Sequence, residues 1–390
     1  MASHLLQFRA AIIAAIFLLS LVMQMASCTP GSVVLPRKIA PVTDVSPVVL
    51  LPTEVDAIGE IEPVDKGSAV HDLILSNAES QQAWQEKKEL FPSGGRWSTW
   101  LSQFTMSASK DATPPTGLIR LPPDQVSFGR LLIANVLNKP HKLALIFLLD
   151  YQPLLVQDLF DSQPAYYTPE IAVDEEVAFE FLFPPMSQGF HQLSILMITD
   201  PDLEPEDPMY RQALKLLFTE QRYDLWVGID EIPPDVPVLL SRDQAIEAGG
   251  FLHSLDVLNP KRLDERPARL QLFSDTQTQL ELCFWGNEEP DSRAQSRVDT
   301  QPVAIGVFWD DRLTGWVEYE LDPLRRFRLP VVIKTPTTEG VHHLQVVVFQ
   351  TPWYAQYDAE DERIAFGKAT SSNRILVEVT ADQTEYSGSE

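Results

Sequence analysis

The chain has 390 residues and a mass of 43.9 kDa, with 30 basic against 55 acidic side chains and a formal charge of -25. A field of that sign repels polyphosphate and excludes nucleic acid as a partner, while 44 % hydrophobic and 22 % charged residues exclude a wholly disordered or fibrous chain. With 31 Pro against 17 Gly, the balance disfavours long helices and points to strands joined by extended connectors, in two or three domains.

Arg9 precedes an uninterrupted weakly polar to apolar run, Ala10 to Met23, followed by Gln24, Met25, Ala26, Ser27 and Cys28. At 14 residues the run is short of the roughly 20 a spanning helix needs, and it ends at small residues rather than at a basic cluster. That is the shape of a secretory signal, with an uncleaved anchor helix as the alternative. Ordinary cleavage before Cys28 would place Met25 where a small side chain is required. Met25, Ala26, Ser27 and Cys28 instead resemble the lipobox of bacterial lipoprotein precursors, an aliphatic residue, two small residues and an invariant Cys, with Met25 standing where Leu is usual. The resemblance covers 28 residues and says nothing about the fold downstream. It implies loss of residues 1–27 as a signal peptide, diacylglyceryl transfer to the Cys28 thiol, and often acylation of the new amine by a palmitate-like chain. The expected localisation is therefore extracytoplasmic, lipid-anchored to a bacterial cell membrane, at about 0.8 kcal/mol per inserted CH₂.

Removing residues 1–27 takes away one base, Arg9, and no acid, so the mature chain carries -26. Membrane contact is expected from the lipid, since anionic headgroups repel such a body. Once Cys28 is acylated, Cys283 is the one remaining thiol, no intramolecular disulfide can form, and the fold stands on its core. Cys283 lies in the apolar run Leu280 to Trp285 and reads as buried and inert.

Residues 28–92 read as a tether. Pro30, Pro36, Pro41, Pro47, Pro52 and Pro63 interrupt regular structure at short intervals and predict a semi-extended stalk, although the apolar Val48, Val49, Leu50 and Leu51 favour packing of part of it. Ser76 and Glu79 have capping-box spacing and predict one short helix over Asn77 to Leu90, ended by Pro92, Gly94 and Gly95.

Beyond the tether the chain matches itself at an offset of 151 to 152 residues. Gly189 to Pro201 lines up with Gly340 to Pro352, Leu121 and Asp124 with Leu272 and Asp275, Pro185 with Pro336, and Arg222 to Val227 with Arg374 to Val379. Asp150 and Asp310 match only after a shift of nine, which places loops of different length around that strand. Each copy reads as six or seven short strands, with Phe179, Phe181 and Phe183 alternating about Glu180 on a half-buried strand. The predicted fold class is mainly β, two tandem immunoglobulin-like β-sandwiches over 93–231 and 232–381, with a polar tail at 382–390. One continuous sandwich or an up-and-down barrel is the competing architecture.

No motif assigns chemistry. Seven His show no metal-hydrolase spacing, there is no nucleophile elbow or P-loop, and Ser107 to Lys110 matches S-x-x-K without its companion motifs. His191 and His342 follow the repeat glycines and read as turn histidines bonded to backbone. An acidic loop in each copy supplies Ca²⁺ candidates, Asp200, Asp202 and Glu204 in the first and Asp358, Glu360 and Asp361 in the second, yet charged loops are usually solvated, and no metal or other cofactor is expected. Trp353, Tyr354, Tyr357 and Asp358 combine rings with a carboxylate and are the candidate glycan- or peptide-binding residues, while Trp285, Trp309 and Trp316 read as core. The expected role is a non-catalytic adhesion or scaffold protein whose partners are the membrane, through the lipid, and an extracellular protein or glycan ligand. The alternatives are a ligand-binding lipoprotein and a hydrolase using carboxylates such as Asp310, Asp311 and Glu318.

Overall fold

A computed structural model describes residues 48–49, 58–69, 101–109, 119–135, 139–158, 161–173, 175–202, 218–237, 254–258, 269–285, 301–321, 327–355, 369–372 and 374–381. Residues 1–28, the helix expected over 77–90 and the tail at 382–390 lie outside them. The described elements are all strands. β1 (Val48–Val49) and β2 (Gly59–Ala69) come first. The first copy then runs β3 (Leu101–Ser107), β4 (Ile119–Leu121), β5 (Ser127–Ala134), β6 (Leu143–Leu149), β7 (Gln152–Gln157), β8 (Ser162–Gln163), β9 (Tyr166–Tyr167), β10 (Glu176–Phe183), β11 (Gly189–Thr199) and β12 (Phe218–Val227). The second runs β13 (Ser254–Leu258), β14 (Arg269–Phe273), β15 (Gln277–Trp285), β16 (Gln301–Trp309), β17 (Arg312–Leu321), β18 (Phe327–Lys334), β19 (Gly340–Gln350), β20 (Ala369–Ser371) and β21 (Ile375–Thr380).

In the first copy β3, β5 and β10 make one sheet, and β7, β6, β11, β12 and β4 the other. In the second copy β13, β15 and β18 face β14, β21, β19, β16 and β17. The opening strand of each copy splits between the sheets: β3 joins β5 while β4 pairs parallel with the last strand β12, and β14 pairs parallel with β21. Antiparallel sheets with that edge exchange are immunoglobulin-like sandwiches. Alternation builds each core. Phe179, Phe181 and Phe183 of β10 meet Phe147 of β6 and Leu193, Ile195 and Met197 of β11; Leu329, Val331 and Ile333 of β18 meet Ile305, Val307, Val346 and Val348. Each such side chain contributes roughly 1.5–3 kcal/mol by leaving water.

The duplication extends to bonding. The Asp124 amide donates to the Met186 carbonyl and that of Asp275 to the Pro336 carbonyl, so Met186, not Pro185, is the counterpart of Pro336. Leu149 faces Gln152 across the β6–β7 turn as Trp309 faces Arg312 across the β16–β17 turn, and Phe147–Leu154 corresponds to Val307–Gly315 after a bulge in β17.

The tether over 28–92 needs correction. Its residues Gly59–Ala69 form β2, which pairs parallel with β7 through Ile61 and then antiparallel with β10, joining the two sheets of the first copy. Pro63 falls where the register shifts between sheets, a place that tolerates a missing donor, and Ile61 is fully buried. Val48 and Val49 form β1, which pairs parallel with β18 at Val331 and Val332.

The two sandwiches share a second apolar seam. The outer faces of β6 and β11, Ile146, Leu148, Leu196 and Ile198, meet Phe308, Leu313, Val347 and Phe349 of the second copy, with Tyr151 and Trp316 between. All seven side chains of β6 are therefore buried, three on the seam and four in the sandwich core.

Candidate functional site

Each copy carries a matching Asp–His bracket, just after β6 in the first and just after β16 in the second. Asp150 and Tyr151 hold φ of 51° and 59°, and Asp310 and Asp311 hold 49° and 65°, so both hairpins close with two left-handed residues, the geometry that matches strand twist. Asp150 then accepts from the Gln192 amide at 2.9 Å and from His191 Nδ1 at 2.6 Å, while His191 Nε2 donates to the Ser187 carbonyl at 2.9 Å. Asp310 repeats this with the His343 amide at 2.8 Å and His342 Nδ1 at 2.6 Å, and His342 Nε2 lies 2.9 Å from the Thr338 carbonyl. A third bracket joins His141 to Asp200 at 2.6 Å. Burial lowers the His191 pKa, but the hydrogen bond and charge of Asp150 and the Ser187 carbonyl outweigh it and raise the pKa above its ordinary value. The turn-histidine reading of the sequence thus holds, with a carboxylate added.

Polar groups clamp the seam. The Arg222 guanidinium pairs with Glu220 at 3.0 Å, donates to the Gln350 carbonyl of the second copy at 2.9 Å, and lies over the Tyr151 ring at 5.6 Å. Burial alone would lower the Arg222 pKa; Glu220 and Tyr151 more than offset it. Gln192 donates from Nε2 to the Tyr354 carbonyl at 2.7 Å and accepts at Oε1 from the Trp353 amide at 3.1 Å and the Tyr151 hydroxyl at 3.0 Å. Arg374, which the repeat aligns with Arg222, pairs with Asp311, and the Tyr167 hydroxyl of the first copy donates to Asp311 at 2.9 Å. Burial pushes both Tyr151 and Tyr167 well above the usual phenol range.

Of the residues expected to bind ligand, Trp353 and Tyr354 lie on this seam. Trp353 packs edge-on against Tyr151 at 4.7 Å and donates from Nε1 to Glu318 at 2.9 Å, leaving it 36 % exposed. Tyr357 and Asp358 lie outside the described residues, as do Glu204, Glu360 and Asp361 of the calcium candidates. Asp200 is engaged by His141 and the Lys142 amide, Asp202 is exposed, and no group of three metal-ligating side chains occurs among the described residues. Trp309 is core, as read; Trp316 belongs to the seam, between Tyr151 at 5.2 Å and Phe349 at 5.5 Å. The carboxylates raised for hydrolysis are each bonded elsewhere, Asp310 to His342, Asp311 to Arg374 and Glu318 to Trp353. Cys283 is fully buried, as expected.

The candidate site that remains is a cleft of about 540 Å³ at the edge of the second sandwich, between the start of β17 and the end of β18. Trp309 and Ile333 reach it from the core, buried Gly315 lies beside them, and Asp310, Arg312, Thr314 and Lys334, with Pro164 of the first copy, complete the lining. Lys334 pairs with Asp275 at 2.8 Å, and among the described residues no carboxylate pairs with Arg312. Apolar floor, hydroxyls and a cation suit binding of an extended polar ligand. Sequence reasoning missed these residues because Arg312 and Gly315 become comparable with the first copy only once the hairpin register is known.

No family model matches the chain, and no curated protein does. Solved structures align weakly. The CARDB domain of the PF1109 protein of Pyrococcus furiosus, in complex with di-metal ions, is 12 % identical over 34 % of this chain and 92 % of its own, with a TM-score of 0.21. The C-terminal domain of the Streptococcus agalactiae AgI/II polypeptide BspA is 7 % identical over 71 % of this chain and all of its own, at 0.20. The corresponding domain of the Streptococcus pyogenes antigen I/II-family protein AspA is 7 % identical over 72 % of this chain and all of its own, also at 0.20. At such scores the likenesses carry no argument about role, and the architecture rests on strand order and core.

Proposed function

We propose that the protein is a non-catalytic scaffold or adhesion lipoprotein, held outside the cytoplasm on a bacterial membrane by an acylated Cys28. The observation that carries the reading is the use of its polar side chains. His141, His191 and His342 each face a carboxylate, Asp311 and Glu220 each hold a buried arginine, and Cys283 is sealed in a core. Arg222 bonds the Gln350 carbonyl and Asp311 accepts from Tyr167, so the two arginine pairs brace the sandwiches against one another, while the histidine brackets tie strands within each sandwich. Bracing of that kind suits a body that holds position or transmits load, and the lipobox-like Met25 to Cys28 supplies the attachment.

Metabolic labelling with an alkynyl fatty acid tests the anchor. The wild-type chain is expected to take up label and begin at Cys28 with added hydrocarbon mass, and Cys28→Ala to take up none and leave the membrane fraction. A mature chain that begins upstream of Cys28, or lacks hydrocarbon mass, sinks the proposal.

A further inference from the structure

The repeat supplies an internal control for the cleft. In the first copy the matching edge is occupied: β2 lies along β7, with Gly59, Glu60 and Ile61 opposite Leu154, Leu155 and Val156, before crossing to β10. Ile61 fills the core with Leu154 and Val156, and Gly59 abuts Pro184 so closely that a Cβ would come within 2.7 Å of its Cγ. Among the described residues of the second copy, β17 is the last strand of its sheet and β18 pairs with β1 at Val331 and Val332.

The side chains around this edge change in step. By hairpin register Leu154 corresponds to Gly315 and Gln152 to Arg312, and by ladder register Pro184 corresponds to Lys334. A bulky apolar residue has become glycine beside the cleft, and two neutral positions have become cations, of which Lys334 is shared with Asp275. Among the described residues no strand pairs with the outer edge of β17, which leaves its backbone donors and acceptors available to a further strand.

We propose that this edge is a strand-acceptor slot, which binds a short extended segment of a partner polypeptide carrying an apolar residue flanked by acidic ones. The backbone of β17 supplies the ladder, Gly315 and Ile333 receive the apolar side chain, and Arg312 and Lys334 attract the acids, the mode of β-strand addition. The occupant's chemistry is read from two observations, the charges gained at the rim and the sequence Gly59, Glu60, Ile61, Glu62 that fills the equivalent place in the first copy. The cleft volume of about 540 Å³ lies within the roughly 300–1,000 Å³ range of ligand pockets. The proposal does not depend on the lipid anchor.

The test uses the purified full chain in detergent and a fluorescent synthetic peptide with the sequence of residues 58–64, read by anisotropy. Saturable binding is expected. Affinity should fall on the order of fivefold for Arg312→Gln and for a peptide with both Glu replaced by Lys, the loss of one or two exposed ion pairs. Gly315→Leu, which restores the bulk of the first copy, should abolish binding while far-UV circular dichroism stays unchanged; Arg312→Gln, at an exposed position, covers the case in which Gly315→Leu misfolds. Absence of saturable binding, or equal binding by wild type and Arg312→Gln, overturns the proposal. So does sedimentation showing that two copies of the chain pair in a way Arg312→Gln abolishes, or peptide binding that appears only after residues 30–47 are deleted, since a second copy or the chain's own segment would then be the occupant.

Discussion

Both nitrogens of His191 face acceptors, the Asp150 carboxylate and the Ser187 carbonyl, so only the doubly protonated ring satisfies both. Its pKa in the folded chain is accordingly raised above the roughly 6.5 of the unfolded chain. A raised value means that the folded state binds the proton more tightly, so the stabilisation is full below about pH 6.5 and fades as pH rises through the folded value. Thermal melts of wild type and His191→Gln should therefore differ most near pH 5.5 and converge in alkaline buffer; a constant gap across pH would contradict this. The sequence placed His191 and His342 in matching positions, but their partners stand 41 and 32 residues away and become neighbours only through strand pairing. Arg222 and Glu220 give a second test at this scale. With side chains 1 % exposed, either one left alone is a buried charge, and Glu220 Oε2 already lacks a partner among the described residues. Arg222→Leu should cost about 3–5 kcal/mol in urea unfolding, and the double variant with Glu220→Leu should recover most of that loss.

Strands were legible wherever a period of two survived. β10 forms where Phe179, Phe181 and Phe183 alternate about Glu180, with all three rings on the core face, and β18 places Leu329, Val331 and Ile333 on its core face with the same period. β2 was not legible, because its proline content describes a connector and its place is set by β7 and β10, which follow it by nearly a hundred residues or more. β6 was legible as a strand but not as one buried on both faces; its unbroken apolar run records the seam as well as the core. Gly129 in β5 shows how tightly such an element is built. A Cβ there would lie 2.4 Å from the Phe183 ring and 3.0 Å from that of Phe104, and those rings pack edge to face at 5.9 Å. Gly129→Ala is expected to lower the unfolding free energy by about 1–3 kcal/mol, read from the denaturation midpoint at unchanged slope. An unchanged midpoint would mean that the two rings move aside freely.

The same seam that gives β6 its second buried face makes one body of two repeats. Ordinary contacts between domains are modest and polar and leave each domain to unfold by itself. Here Ile146, Leu148, Leu196, Ile198, Phe308 and Phe349 form an apolar layer, flanked by Arg222 and Gln192 bonded to the backbone of the second copy. Unfolding either sandwich exposes that layer, so the described body should melt as one unit in scanning calorimetry, with van't Hoff and calorimetric enthalpies in agreement. Phe349 separates coupling from core stability, since it is fully buried yet belongs to the seam and not to either sandwich core. Phe349→Ala should remove about 3–5 kcal/mol and split the transition into two, one for each sandwich. Phe179→Ala, of similar cost but placed in the first core, should lower a transition that stays single. If Phe349→Ala instead shifts one undivided peak as Phe179→Ala does, the two copies are coupled by something other than the seam, and the rigid-body basis of the scaffold reading fails with it.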